Sequence, residues 1–240
     1  EIPDLGHTNI RDSYMGSGNP NSTHASDKLL IGNGCEGQST ECRVVFALDN
    51  SQIPLPSSAK VHSASVMLTL SDETWNNIGS MTLSVHRVLT NNWTHTGSSW
   101  SSSGINTWSL PGMGAGVEYE STPISITTVA AGQPEIWLDI GHPNMLIDGD
   151  HTWIIIANMS SIGDAFLELY SSESSLENRP LVQINYTNVD SILISPSSST
   201  TDADTAVQFS HILNDALGAM VSEDVNWSVS NGSINSTGLF

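Results

Sequence analysis

Positively charged residues are the scarcest feature of this sequence. Lys and Arg number six among 240 residues, against 25 Asp and Glu, so the formal net charge is −19. Proteins that bind nucleic acid use Lys and Arg to displace counterions from phosphates, and docking on anionic lipid relies on the same residues. The composition therefore argues against nucleic acid and anionic membranes as partners.

Long apolar runs and helical periodicity are missing as well. No apolar run approaches the roughly 18 residues of a membrane-spanning helix, so we expect no membrane span, and no leader-type segment opens the chain. The apolar runs are short, rich in β-branched residues and separated by Gly, Pro, Asn, Asp and Ser. This pattern is typical of an all-β protein.

The pattern predicts at least eight strands before residue 188. Lys28–Gly32 and Arg43–Leu48 read as a hairpin. Alternation in Val61–Leu70 predicts two faces. Ala64, Val66, Leu68 and Leu70 should point into the core, and the outward face should carry Val61, Ser63, Ser65, Met67 and Thr69. The other predicted strands are Met81–Leu89, Glu135–Ile140, Thr152–Ala157, Ala165–Tyr170 and Leu181–Tyr186, with Ser121–Val129 as a weaker candidate.

Only two cysteines are present, Cys35 and Cys42, and six residues separate them. Two are too few for a metal site, and the spacing does not match C-x-x-C redox chemistry. We expect a short disulfide that contributes about 2–3 kcal/mol and an oxidising, extracellular location. Asn-x-Ser/Thr sequons, which fit a secreted glycoprotein, occur at Asn21, Asn92, Asn158, Asn185, Asn226, Asn231 and Asn235.

A domain boundary near Asn188 gives two predicted domains, 1–187 and 188–240. The second holds six acids and no Lys or Arg, and its predicted strands are Ser191–Ser195, Ala206–Ile212 and Val225–Val229. Its roughly 50 residues are about half of an immunoglobulin-type sandwich. We expect an Ig-like domain incomplete at its C-terminus: either the chain is a fragment of a longer one, or a strand from another subunit completes it.

Catalytic patterns are absent from the sequence. Eight His are scattered singly, with neither H-E-x-x-H nor G-x-S-x-G, so we expect no enzyme activity and no required cofactor. Calcium is the one cation for which ligands can be named, because carboxylates cluster in predicted loops. These candidate ligands are Asp72, Glu73, Asp148 and Asp150.

Tryptophans beside polar residues are the candidate sugar-binding groups, since the ring packs on a sugar while amides and carboxylates bond its hydroxyls. Trp75 stands at a predicted loop tip beside Asn76 and Asn77, and Trp137 should face away from the core beside Asp139. The long Ser/Gly-rich segment 91–120 is predicted to be either a binding surface or loop packing. Its Trp93, Trp100 and Trp108 are expected to fill a sheet edge.

Four stretches together resemble one known family: RDSYMGSGNPNSTHASDKLLIG (11–32), VVFALDNSQIPLPSSAKVHSASVMLTL (44–70), NNWTHTGSSW (91–100) and LELYSSESSLENRPLVQINYT (167–187). Their order is similar to the DNRLRE, or disaggregatase-related, domain, which is kin to some carbohydrate-binding modules. The most specific part is the ending, with Ser172, Glu173, Arg179, Pro180 and Tyr186. The tail VNWSVSNGSINSTGLF resembles a bacterial-type Ig-like domain.

The resemblance implies a jelly-roll β-sandwich of the kind found in large extracellular proteins of archaea and bacteria, some of which bind polysaccharide. We therefore expect a non-catalytic cell-surface protein that contacts polysaccharide or cell-surface glycans, with an adhesive role. A second hypothesis is a structural subunit of an extracellular filament, sheath or surface layer, assembled by β-strand addition. A third is an accessory module of a polysaccharide-degrading enzyme.

Overall fold

The computed structural model describes residues 10–49, 59–71, 80–90, 92–130, 132–141, 151–158, 165–202, 204–216 and 218–240. The fold is all-β, as the sequence predicts. The chain divides into two compact units. The first runs to Asn185 without the short stretch Leu55–Lys60, and the second consists of that stretch and Tyr186–Phe240.

Thirteen strands are seen among the described residues, together with one 3₁₀ turn at Leu176–Asn178. The strands are β1 Ile10–Gly16, β2 Lys28–Asn33, β3 Glu41–Leu48, β4 Ala59–Thr69, β5 Ser80–Arg87, β6 Ser125–Ala130, β7 Glu135–Gly141, β8 His151–Ala157, β9 Ala165–Tyr170, β10 Leu181–Asn188, β11 Ser191–Ser195, β12 Ser210–Asn214 and β13 Met220–Val221.

The first unit is a β-sandwich of two antiparallel sheets. The major sheet has the order β6-β5-β8-β3-β2-β9, with β1 also paired to β3, and the minor sheet has the order β10-β4-β7. Trp153 on β8 joins the two, because its indole Nε1 donates to the Ile140 carbonyl of β7 at 2.8 Å. Phe46 on β3 stacks on the Trp153 ring at 5.0 Å, so aromatic side chains fill the space between the sheets.

The disulfide between Cys35 and Cys42 is present, as predicted. Its loop joins β2 and β3, which pair only at the two positions next to it. Along its whole length β2 pairs with β9, and the rest of β3 pairs with β1 and β8. The predicted hairpin therefore exists only at its tip.

Strand β4 departs from the predicted alternation at its start. Val61 is fully buried, although the pattern placed it outward, and His62 and Ser63 are both exposed. Because His62 and Ser63 both point outward, the inward–outward alternation shifts by one residue, and Val61 points inward like Ala64. From Ala64 to Leu68 the predicted inward face is buried.

Segment 92–120 covers the outer face of the major sheet. Trp93 and Trp108 are buried against Val45, Ala47 and Ile154, with Trp100 packed beside them. The expectation that these tryptophans fill a sheet edge is therefore wrong. The physical reason is that β3 and β8 carry apolar residues on both faces, so the face turned away from the minor sheet also needs cover.

The second unit contains a three-stranded antiparallel sheet, β11-β12-β13. Strand β11 is as predicted, but β12 begins at Ser210 rather than Ala206. Residues 225–229, all described, form no strand, and Trp227 instead packs against Phe209 and His211. Residues 207–209 pair with the C-terminal residues, since Val207 N donates to the Phe240 carbonyl at 3.0 Å.

Candidate functional site

The outer face of the minor sheet brings together the described part of the predicted sugar site. Strand β7 pairs with β4 so that Trp137 lies opposite Met67, Asp139 opposite Ser65 and Glu135 opposite Thr69. Residues directly opposite each other in an antiparallel pair share a face. These side chains therefore form one outer surface, which we call the Trp137 face.

Trp137 differs from the other described tryptophans in its exposure. Trp137 is 43% exposed, whereas Trp93, Trp108 and Trp153 are at most 7% exposed, and Trp100 and Trp227 are half-buried. Its neighbours Ile136 and Leu138 are buried, so the strand alternates as predicted and turns the ring outward. Packing in the core accounts for the buried tryptophans, whereas the ring of Trp137 is open to solvent.

Hydrogen bonds fix the backbone around Trp137. The Asp139 carboxylate accepts a bond from Gly141 N at 2.8 Å, and the Asp139 carbonyl accepts one from the Ser125 hydroxyl at 2.7 Å. On the other side of β4, the Asn185 amide donates to the Ser63 hydroxyl at 2.9 Å. The Trp137 face thus offers one exposed ring with carboxylate, hydroxyl and amide groups at held positions.

The other predicted sugar and calcium ligands lie outside the described residues. They are Trp75, Asn76, Asn77, Asp72, Glu73, Asp148 and Asp150. Within the described ranges, no group of three or more His, Cys, Asp or Glu is arranged to hold a metal ion.

All seven sequon asparagines are exposed: Asn21, Asn92, Asn158, Asn185, Asn226, Asn231 and Asn235. Exposure is what an attached glycan requires. Within the described parts of the chain there is also no helix with the length and apolarity to cross a membrane.

A buried carboxyl group was missed by the sequence reasoning. Asp12 on β1 is 1% exposed and accepts bonds from the Ser172 amide at 2.8 Å and the Ser172 hydroxyl at 3.0 Å. Burial, with the nearby charge of Glu173, raises the pKa of Asp12 from 3.8 to about 7, although the Ser172 bonds act in the opposite direction. The family resemblance marked Ser172 and Glu173, but no local spacing links them to a residue 160 positions away.

Groups with a pKa near 7 often serve in acid–base catalysis. Asp12, however, is buried where β1 contacts Ser172, in the segment that follows β9. It has no exposed surface on which to meet a substrate, and its geometry supports a structural role in holding β1 to that segment.

No protein-family model matches this chain, and no curated protein is detectably similar to it. The resemblances to the DNRLRE and Ig-like families therefore stay predictions.

Proposed function

We propose that this chain is a non-catalytic extracellular surface protein that binds polysaccharide on the Trp137 face. One observation carries the proposal: Trp137 is held outward on a sheet, 43% exposed, among polar neighbours. The apolar ring can pack on the flat face of a sugar, while adjacent polar groups bond its hydroxyls. The disulfide and the exposed sequons support an extracellular location.

Replacing Trp137 with Ala tests the proposal. In affinity electrophoresis through gels containing different polysaccharides, we expect at least one polysaccharide to retard the wild type and Trp137→Ala to lose most of that retardation. Tyr186→Ala is the matched control, because Tyr186 is 41% exposed and the alternation of β10 turns it away from Asn185. If no polysaccharide retards the wild type, or Trp137→Ala is retarded equally, the proposal fails.

A second candidate function is self-assembly by strand addition. Among the described residues, β11 is an edge strand that pairs only with β12. Its Ile192, Leu193 and Ile194 are 52%, 59% and 41% exposed. Charged residues, above all Lys, normally protect such an edge from pairing with another chain, and β11 (SILIS) has none. This edge suits a β-strand of a second copy.

Light scattering over a concentration series tests this second candidate. We expect oligomers of the wild type, and monomers when Leu193→Lys adds a charge to the edge. Leu176→Lys is the control, since Leu176 is also 59% exposed but lies in the 3₁₀ turn. A wild type that stays monomeric at every concentration would rule out assembly through this edge.

A further inference from the structure

Carboxylates lie on both sides of the exposed ring on the Trp137 face. Glu135 and Asp139 are each two residues from Trp137 in β7, and all three are exposed. Side chains two apart in a strand project from the same face about 7 Å from each other. The indole ring is therefore placed between two negative charges.

The described neighbours on this face do not neutralise these charges. On β4 the outward residues opposite this part of β7 are Ser65, Met67 and Thr69. On β10, the other strand beside β4, Leu181, Gln183 and Asn185 alternate with the buried Val182 and Ile184. Among these described positions there is no Lys or Arg, so the two carboxylates remain available to a ligand.

An aromatic ring between two carboxylates selects for positive charge. The ring face attracts cations, and each carboxylate attracts an ammonium group through solvent. A neutral sugar gains neither interaction, and an acidic sugar would be repelled by Glu135, by Asp139 and by the −19 net charge of the chain. Charge complementarity therefore favours a polysaccharide that carries positive charge.

We infer that the Trp137 face binds a polysaccharide of amino sugars with free, protonated amines, as in a chain of glucosamine units. Successive units repeat the amine, so one chain can stack a sugar on Trp137 and present ammonium groups to Glu135 and Asp139. This inference rests on the proposed polysaccharide-binding function and specifies its ligand.

Calorimetric titration of the full chain with two matched hexasaccharides tests it. Glucosamine and N-acetylglucosamine hexamers share a backbone and differ in amine charge. At a pH where the amines are protonated, we expect about tenfold tighter binding of the glucosamine hexamer, from one cation–π contact and exposed ion pairs. The double variant Glu135→Gln with Asp139→Asn should bind both hexamers equally, while Glu177→Gln, an exposed acid in the 3₁₀ turn, should keep the preference.

Failure of the amino-sugar inference can be distinguished from failure of the proposed polysaccharide binding. Equal binding of both hexamers by the wild type, with loss of both in Trp137→Ala, overturns the amino-sugar inference and leaves polysaccharide binding standing. If the double variant Glu135→Gln with Asp139→Asn still prefers the glucosamine hexamer, the preference comes from the overall negative charge of the chain. That result also overturns the amino-sugar inference. Tighter binding of polylysine than of the glucosamine hexamer points to a basic protein instead. If neither these hexamers nor any polysaccharide binds, both proposals fail.

Discussion

Asp12 shows how a single residue changes its chemistry on folding. In the unfolded chain its carboxyl group ionises in water, but in β1 it lies buried beside the second carboxyl group of Glu173. Desolvation and like charge both disfavour ionisation. The native protein therefore holds a proton on Asp12 over a pH range in which the unfolded chain has lost it.

The raised pKa of Asp12 predicts the sign of a pH effect on stability. Between pH 3.8 and about 7 the native state binds more protons at this site than the unfolded state, so the site's contribution to the free energy of unfolding falls as the pH rises. The side chain introduced by Asp12→Asn cannot ionise, so the variant should not lose free energy of unfolding at this site as the pH rises. We expect the variant to gain on the order of 2 kcal/mol relative to wild type between pH 4 and pH 7.

Urea unfolding at a series of pH values measures this difference. Glu177→Gln serves as the control, because Glu177 is fully exposed. A constant gap between Asp12→Asn and wild type across the whole pH range would contradict the assignment of a proton to Asp12.

At the scale of elements, segment 92–120 is ordered by polar bonds as well as by its tryptophans. The Glu118 carboxylate accepts bonds from the Ser109 amide at 2.6 Å, the Ser109 hydroxyl at 2.5 Å and the Gly114 amide at 2.6 Å. Arg43 donates to the Gly112 carbonyl at 2.8 Å, with its guanidinium over the Trp100 ring. The Glu118 carboxylate therefore links three hydrogen-bond donors within segment 92–120, which contains no long strand.

Glu118→Ala should destabilise the first unit by about 3 kcal/mol, because it removes three hydrogen bonds to a charged group and leaves the buried Gly114 amide unpaired. Burial alone would raise the pKa of Glu118, but the bonds from Ser109 and Gly114 outweigh it and lower that pKa. This contribution is therefore present at neutral pH and is lost on acidification below the ordinary range of Glu.

Glu120→Ala is the matched control for Glu118→Ala. Its carboxylate is exposed and lies 4.0 Å from Arg87, so its removal should change the free energy of unfolding by less than about 1 kcal/mol. Equal loss in the two variants, measured by urea unfolding, would contradict the role given to Glu118.

Local patterns in the sequence predict most strands but not the partners of each strand. β9 and β11 match their predicted bounds, since a short apolar run ends at turn residues in both. Val61 was assigned to the wrong face because two consecutive outward residues break the period in β4. The packing of segment 92–120 and the meeting of Asp12 with Ser172 depend on contacts between distant parts of the chain, which no local period records.

The sequence predicts only part of the candidate site, because some of its neighbours come from distant parts of the chain. Alternation in β7 is local, and it is sufficient to turn Trp137 and Asp139 outward. That Met67 and Ser65 lie opposite them follows from the pairing of β4 with β7, which the sequence pattern alone does not specify.

At the scale of the whole molecule, the two sheets of the first unit differ in how they are covered. The central strands of the major sheet face the minor sheet on one side and segment 92–120 on the other. Among the described residues, the minor sheet is buried on its inner face only, and its outer face carries Trp137. The sparse cations of the sequence leave that face negative, which links the overall composition to the proposed choice of ligand.

The central claim is that Trp137 contacts polysaccharide, and NMR of the tryptophan indole N–H groups tests it most directly. The Trp137 signal is assigned by its disappearance in Trp137→Phe. On titration with the glucosamine hexamer, or with any polysaccharide that retards the wild type, this signal should shift, while those of the buried Trp93, Trp108 and Trp153 should not. A Trp137 signal that stays in place when the protein is saturated with its ligand would contradict the claim.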